Sequence, residues 1–305
     1  MVGIDWGSTR LRAFRFSPAG SIQEMRESDR GITALADGTF DHALTSILHD
    51  WPRDLPIIMC GMVGSRQGWR EVPYCACPAQ LEALSQCLGK VQTSVGRAWI
   101  VAGLSVTTQC NDRLLQNASP FYDVMRGEES QIAGVAPPTG DLLIVTPGTH
   151  SKWTWVQGST VQSFRTYLTG ELYAVLRDHS MLGKLMERHN APSAEPVFID
   201  GVHTAFADQD LLHCLFNVRT EGLFKRKSPA TLSSYLSGIL IGSEVAAARR
   251  HYAADSAILI ASAELGHLYR LAMQAAGMRS VTLVDANEAV ARGLWRLWQL
   301  RGASG

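Results

Sequence analysis

An α/β fold in two halves, each opening on a strand that turns back at a Gly-hydroxyl step, is what the 305-residue sequence predicts. Three observations lead there. Apolar runs of strand length alternate with stretches of helical spacing. Ala136-Pro137-Pro138-Thr139-Gly140 is a strong linker signal in mid-chain. The segment after that linker repeats the N-terminal pattern, though with little identity. A single core usually stops growing near this length, so two halves, 1–137 and 138–305, are expected. Two sheets facing across a cleft are the expected arrangement.

Residues 2–16 (VGIDWGSTRLRAFRF) alternate apolar and polar on either side of a Gly-Ser-Thr turn, and Ser17-Pro18-Ala19-Gly20 leads to a strand at Ile22 to Arg26. Phe40, Ala43, Leu44, Ile47 and Leu48 have helical spacing, stopped between Trp51 and Pro52. Pro56 to Cys60 reads as a buried strand, leading into a loop rich in Gly, Arg and Trp. A helix at 79–88, strands at 98–104 and 122–125, and a helix from about Gly127 complete the first half. In the second half, DLLIVTPGTHSKWTWVQGSTVQSF gives three strands. Helices are expected at 170–187, 231–250, 264–276 and 287–299, with strands at 257–261 and 280–284. Trp295 and Trp298, at helical spacing, read as core.

Composition excludes several classes. With 28 basic and 28 acidic side chains, the chain lacks the electrostatic footprint of a nucleic-acid binder. No apolar run approaches the roughly 18 residues of a membrane span. Residues 2–6 already read as a strand, leaving no room for a signal peptide, so a soluble cytoplasmic protein is expected. The six cysteines (Cys60, Cys75, Cys77, Cys87, Cys110 and Cys214) share no repeated spacing. Cys75-x-Cys77 without a second pair is a weak zinc signal, and free thiols are expected.

Two turns carry chemistry. Asp5-Trp6-Gly7-Ser8-Thr9-Arg10 can aim backbone N–H groups and hydroxyls at phosphate oxygens, with Gly7 permitting close approach. Asp5, at the strand end, can hold Mg²⁺ directly or through water. Thr146 to Trp153 is the second such turn, again after an apolar strand. Neither a Walker A sequence nor Gly-x-Gly-x-x-Gly is present. A pair of phosphate turns, one opening each half, is best explained by a nucleotide.

These residues carry a family resemblance. Ile4 to Thr9 and Leu143 to Lys152 resemble the two phosphate motifs of the actin, hexokinase and Hsp70 ATPase superfamily. More narrowly, Gly61 to Trp69 (GMVGSRQGW), Asp123 to Glu129 (DVMRGEE), Pro147 to Trp153 (PGTHSKW), Leu168 to Leu172 (LTGEL) and Ser234 to Gly238 (SYLSG) resemble the 2-dehydro-3-deoxygalactonokinase family. The resemblance runs nearly end to end. It implies two ribonuclease H-like lobes with mixed sheets facing an interlobe cleft. It also implies an ATP- and Mg²⁺-dependent kinase for the terminal hydroxyl of 2-dehydro-3-deoxy-D-galactonate.

Roles then attach to residues. Phosphoryl transfer to an alcohol needs its proton accepted. Glu128 comes directly after Gly127 at a helix start, where sugar kinases of the superfamily place their base. Asp123 is the second candidate, and both acids would also favour the helix dipole with no catalytic role. Arg66 can bind a 2-keto-acid carboxylate through two hydrogen bonds, beside Ser65, Gln67 and a Trp69 indole that can cover the sugar chain. Thr169 adds a polar contact, or else caps a helix starting near Gly170. His150 and Lys152 sit at the second phosphate turn with Gly148 and Thr149. Adenosine is expected near Ala261 and Ser262, where Ala261 replaces the family's glycine, with Gly238 and Gly242 as second candidates.

A polyphosphate or nucleotide hydrolase, a kinase for the gluconate-derived epimer and an actin-type nucleotide switch are the alternatives. A sugar-responsive repressor is disfavoured, since no helix-turn-helix precedes the first strand. Nothing in the sequence decides between monomer and homodimer.

Overall fold

The computed structural model describes residues 1–35, 39–108, 120–187 and 194–303, so Cys110 lies outside the described residues. They divide into two compact units: Met1–Leu142 with Thr154–Phe164 and Ala286–Gly305, and Leu143–Trp153 with Arg165–Asp285. Strands and helices alternate in both, the α/β class that the periodicity predicts.

In the first unit, β1 (Val2–Trp6), β2 (Leu11–Phe16) and β3 (Ile22–Ser28) form an antiparallel meander, with Asp5 opposite Arg12. Helix α1 (Phe40–Ile47) ends short of Trp51, because the chain turns through Asp50 at a φ of 66°. Trp51 is buried instead under the Arg26 guanidinium, 4.7 Å from its ring. The continuous apolar strand β4 (Ile57–Cys60) is buried throughout and runs parallel to β1, which sets Cys60 beside Asp5. Next come β5 (Cys75–Ala76), β6 (Ala79–Gln80), a short α2 (Leu81–Gln86), β7 (Leu88–Thr93) and β8 (Gly96–Val101). The main sheet has the order β3-β2-β1-β4-β8-β7. A small sheet holds β10 (Phe121–Met125), β9 (Leu104–Thr108) and β5. Helix α3 (Glu128–Val135) comes directly after β10.

After the linker come β11 (Asp141–Thr146), β12 (Ser151–Gln157) and β13 (Thr160–Tyr167), then α4 (Thr169–His179). The helix predicted to residue 187 stops at His179, since Ser180 is extended (φ −118°, ψ 173°). Helices α5 (Glu195–Ala207) and α6 (Leu211–Leu223), which the periodicity did not reveal, pack with α7 (Leu232–Arg249). Gly201 interrupts the apolar pattern of α5. Its place is explained by α7, because a Cβ there would stand 2.4 Å from the Tyr235 carbonyl oxygen. Gly238 is spent on the same crossing, with the Phe198 carbonyl 2.0 Å from any Cβ, and Gly242 adjoins Val202. Packing between helices, rather than a ligand, accounts for both glycines.

Strand β14 (Ser256–Ala261) pairs in parallel with β11 and with β15 (Ser280–Asp285), and α8 (Ala263–Ala275) lies between β14 and β15 in sequence. Helix α9 (Ala286–Ala303), in the second half by chain order, groups with the first unit, where it packs on α3 and α2. Trp295 meets Phe16 at 5.6 Å and Trp298 meets Trp99 at 5.2 Å, the packing use their spacing suggests. Cys60, Cys75, Cys77, Cys87 and Cys214 are free thiols. Among the described residues no helix is long and apolar enough to cross a membrane.

Candidate active site

The turn after β1 is tied down on one side. Ile32 N donates to Gly7 O, Thr33 N and Oγ1 to Ser8 O, and Gly31 N to Thr9 O, so its carbonyls are spent within the protein. The Ser8 and Thr9 side chains are exposed. A Cβ at Gly7 would meet only the Arg10 carbonyl oxygen, at an ordinary 3.7 Å, and its φ is not in the left-handed region. Internal packing therefore does not call for glycine there. The contrast is Gly61, which ends β4 at φ 93° with any Cβ only 2.7 Å from the Trp6 carbonyl.

Gly61 and Gly127 (φ 111°) bring an acid cluster together, since a Cβ at Gly127 would lie 3.4 Å from the Gly61 Cα. Glu128 and Glu129 open α3 immediately afterwards. Their side chains fold back onto the helix start: the Arg126 amide donates to Glu128 Oε2 at 3.0 Å and the Gly127 amide to Glu129 Oε2 at 2.6 Å. This satisfies amides at the end of a helix that has no side-chain N-cap bond. Glu129 is fully buried, and burial together with the neighbouring Glu128 charge pushes its carboxyl up to about 8. Asp5 is raised too, because burial outweighs the opposing Arg12 guanidinium, 3.0 Å from Oδ2. Glu128 adds its charge to that of Asp5, and the Cys60 thiol donates to Asp5 Oδ1 at 3.9 Å. Burial and the same acids push the Cys60 thiol well up. The result is a group of carboxylates that share little neutralising charge, the usual arrangement for splitting acid and base roles between neighbours. Asp123 is half-buried on β10, opposite Val106.

The loop after β4 begins with a short 3₁₀ turn at Met62–Gly64. Ser65 Oγ donates to the Met62 carbonyl at 2.7 Å, Arg66 and Gln67 are exposed, and Trp69 is half-buried. The Trp69 ring stacks on Phe40 at 5.9 Å and meets Trp6 edge-on at 6.2 Å, so one face is already committed to protein. Arg126 braces this loop from below. Its Nη2 donates to the Val72 carbonyl at 2.7 Å, its guanidinium lies 4.3 Å from the Tyr74 ring, and Nη1 would be 2.9 Å from a Cβ at Gly64. Nε and Nη1 of Arg126 are buried without a hydrogen-bond partner in the protein.

The second unit has its own turn, Pro147 to His150, between β11 and β12. Nothing lies within 4 Å of a Cβ built at Gly148, which is again a glycine without an internal cause. The Thr146 hydroxyl just before it is buried and lacks a hydrogen-bond partner in the protein. The start of α4 sits on this turn: Glu171 N donates to Thr149 O at 3.0 Å, and a Cβ at Gly170 would be 2.3 Å from Gly148 O. His150 Nε2 meets Glu171 Oε2 at 2.5 Å. Lys152 is nearly fully buried, and its ammonium donates to the His150 carbonyl at 2.9 Å, bracing the turn from within the fold. Beneath the turn Glu244 of α7 is fully buried among Trp153, Tyr269, Ser151 and Thr169.

A pocket of about 1520 Å³ opens on this turn, with Gly148, Thr149, Thr169, Ser237, Leu265 and Tyr269 among its lining residues. That exceeds the roughly 300–1,000 Å³ of an ordinary small-ligand site and leaves space for a nucleoside with its phosphates. Thr169 lies inside α4 as its first residue, and the helix has no side-chain cap. Its hydroxyl serves Glu244 instead. Ala261 is buried at the end of β14, opposite Asp285, and Ser262 is an exposed residue preceding α8. Neither is among the lining residues, and the α8 wall begins at Glu264. Gly7, Ser8, Thr9, Asp5 and Glu128 thus share one region of the first unit with the 65–69 loop nearby, while Gly148, Thr149 and Thr169 share the pocket of the second.

Sequence reasoning passed over Arg12, Arg126 and Glu244, and offered Glu129 beside Glu128 without assigning it a role. Arg12 was legible only through the register that pairs it with Asp5. Glu244 did carry a signal, as the one acidic residue of an 18-residue helix.

A family model described as 2-keto-3-deoxy-galactonokinase matches residues 5–297. The 2-dehydro-3-deoxygalactonokinase of Escherichia coli (strain K12) is 36% identical over 297 residues, covering 96% of this chain and 95% of that relative. The crystal structure of a protein from Sinorhizobium meliloti, provisionally named 2-dehydro-3-deoxygalactonokinase, superimposes with a TM-score of 0.87 at 34% identity, covering 98% of each chain. Component A of the (R)-2-hydroxyglutaryl-CoA dehydratase of Acidaminococcus fermentans superimposes with a TM-score of 0.51 at 13% identity, covering 98% of both chains, a likeness of fold alone.

Proposed function

This chain belongs to the 2-keto-3-deoxy-galactonokinase family and is a sugar-acid kinase; from that premise we propose that it transfers the γ-phosphoryl group of ATP to the 6-hydroxyl of 2-dehydro-3-deoxy-D-galactonate, in cytoplasmic D-galactonate catabolism. The observation that carries the donor half of the reading is the pair of strand-end glycines, Gly7 and Gly148. A side chain at either would meet no close protein atom, so a ligand's close approach is the remaining reason for glycine.

The residues fit a nucleotide and a single-carboxylate magnesium site. Thr146 has a buried hydroxyl to offer, and the pocket beside Gly148 has the volume. Among the described residues no group of three or more His, Cys, Asp or Glu is placed to hold a metal. Mg²⁺ commonly keeps several waters and takes one or two carboxylates plus substrate phosphates. Asp5 is the carboxylate we assign to it. When bound, the ion neutralises charge on the transferring phosphate oxygens.

The protein's own residues do the rest. Glu128 accepts the proton of the attacking hydroxyl, held in position by its bond from the Arg126 amide. Glu129, its carboxyl raised by burial, keeps its proton and limits the negative charge facing the phosphates. Arg66 takes the substrate carboxylate with two charge-assisted hydrogen bonds, while Gln67 and the open face of Trp69 contact the sugar chain. Ser8, Thr9, Gly148 and Thr149 are the residues we assign to phosphate oxygens.

A coupled ADP-release assay with ATP, Mg²⁺ and a panel of sugar acids tests this. Release is expected with the galactonate-derived 2-keto-3-deoxy acid and not in the no-acceptor control. Release independent of any acceptor would make the protein a phosphohydrolase, and release with the gluconate-derived acid alone would reassign the epimer.

A further inference from the structure

Both sides of the Gly148–Thr149 turn converge on one carboxylate, that of Glu244 on α7. On the β12 side, Trp153 Nε1 donates to Glu244 Oε1 at 2.7 Å. Tyr269 of α8 donates its hydroxyl proton to Glu244 Oε2 at 2.6 Å. The Ser151 hydroxyl stands 2.8 Å from the Tyr269 hydroxyl and hydrogen-bonds Glu244 as well. On the α4 side, the Thr169 hydroxyl also hydrogen-bonds Glu244. Thr169 begins the helix whose next two residues rest on the turn, Gly170 against Gly148 O and Glu171 N on Thr149 O. Trp153, Ser151, Tyr269, Thr169 and Glu244 are all buried.

We propose that Glu244 is a positioning residue for the phosphate-binding turn: it fixes β12 and the start of α4 against each other, so that Gly148 and Thr149 stand ready to receive the nucleotide's phosphates. The assignment rests on the proposed role of this turn in holding phosphate. A fully buried carboxylate among neutral donors is costly to keep, and burial raises it against the pull of those donors. A core built only for stability would be served as well by an apolar side chain. What the carboxylate adds is direction. Its two oxygens accept from Trp, Tyr and Thr donors carried on three separate elements, and this locks the relative placement of those elements to hydrogen-bond precision. Tyr269 and Thr169 also line the pocket, so a shift of the hub reaches the ligand through one side chain.

The test is calorimetric titration of wild type, Glu244→Gln and Tyr269→Phe with Mg-ATP and, separately, with adenosine. The Gln amide sets its own N–H group against a donor that the carboxylate accepted, and the turn loses its register. Glu244→Gln is expected to weaken ATP about tenfold while adenosine, which has no phosphates, changes less than about twofold. Tyr269→Phe keeps the ring and removes only the hydroxyl, which donates to Glu244 and also meets Ser151 and Thr169. It should weaken ATP about threefold with the same selectivity, and it decides the question should the Gln variant not fold. Equal weakening of ATP and adenosine, or unchanged ATP affinity in both variants, would overturn the positioning role. A wild-type chain that binds neither compound would instead overturn the nucleotide reading itself.

Discussion

In the first unit, Asp5, Glu128 and Glu129 crowd around one strand end, with Asp5 and Glu129 raised by burial and by the Glu128 charge, and Arg12 as the cation at hand. In the second unit, Glu244 is also deeply buried, yet it is surrounded by neutral donors instead of other carboxylates. The difference separates two uses of a costly group. Carboxylates that repel one another divide into a proton holder and a proton acceptor, which is chemistry. A carboxylate whose oxygens are filled by Trp153, Tyr269 and Thr169 has no room to take part in a reaction, and holds other residues still.

The sharpest way to break this distinction is at Glu128. Glu128→Gln is expected to lower kcat by about 10²–10⁴-fold with little change in either KM, read by steady-state kinetics. Asp123→Asn is the matched control: carried on β10 and not at the start of α3, it should change kcat less than about twofold if Glu128 is the base. If the two variants exchanged effects, the base would be Asp123 and the acid cluster would be structural.

Arg66→Ala comes next in size. Losing a charge-assisted bidentate contact of about 1.5–3 kcal/mol should raise KM for the sugar acid roughly 10- to 150-fold, leaving KM for ATP unchanged. An unchanged sugar-acid KM would move the carboxylate contact elsewhere, with the buried, unpartnered Nη1 of Arg126 the next candidate.

The smallest effect is on stability, and it separates Glu129 from Glu244 directly. Glu129 is raised to about 8, so the folded protein keeps a proton that the unfolded chain releases at ordinary carboxylate pH. The stability this contributes is full below the unfolded value and is lost as pH rises through the folded one. The wild-type thermal midpoint should therefore fall between about pH 5 and 9, and Glu129→Gln should flatten that fall by several degrees. Glu244→Gln should lower the midpoint near neutral pH, because the amide N–H opposes one of the donors that the carboxylate accepted.

How much of this was legible in the sequence depends on the range of the interaction. The two Gly-hydroxyl turns, the strands before them and the acid pair after Gly127 are local patterns. A short stretch of chain contains the apolar run, the turn residues and the helix start that produce them. The three-stranded opening and helices α7, α8 and α9 were readable for the same reason. Helix α5 was not, because Gly201 breaks its periodicity to suit α7, a neighbour distant in sequence. Ala261 and Ser262 illustrate the limit from the other side. Their segment has the expected strand-to-helix form, but the pocket wall begins only at Glu264, a matter of helix rotation and not of residue type.

By itself, then, the sequence determined the α/β class, the family and the residue types available for phosphate, proton and carboxylate, since these depend on near neighbours along the chain. Only the tertiary structure decided which of those groups act together. Strand register put Arg12 and Cys60 beside Asp5, the Gly61–Gly127 approach delivered Glu128 to the same place, and three separate elements were needed to surround Glu244. Charge coupling and burial depend on distances through space, which sequence order does not encode.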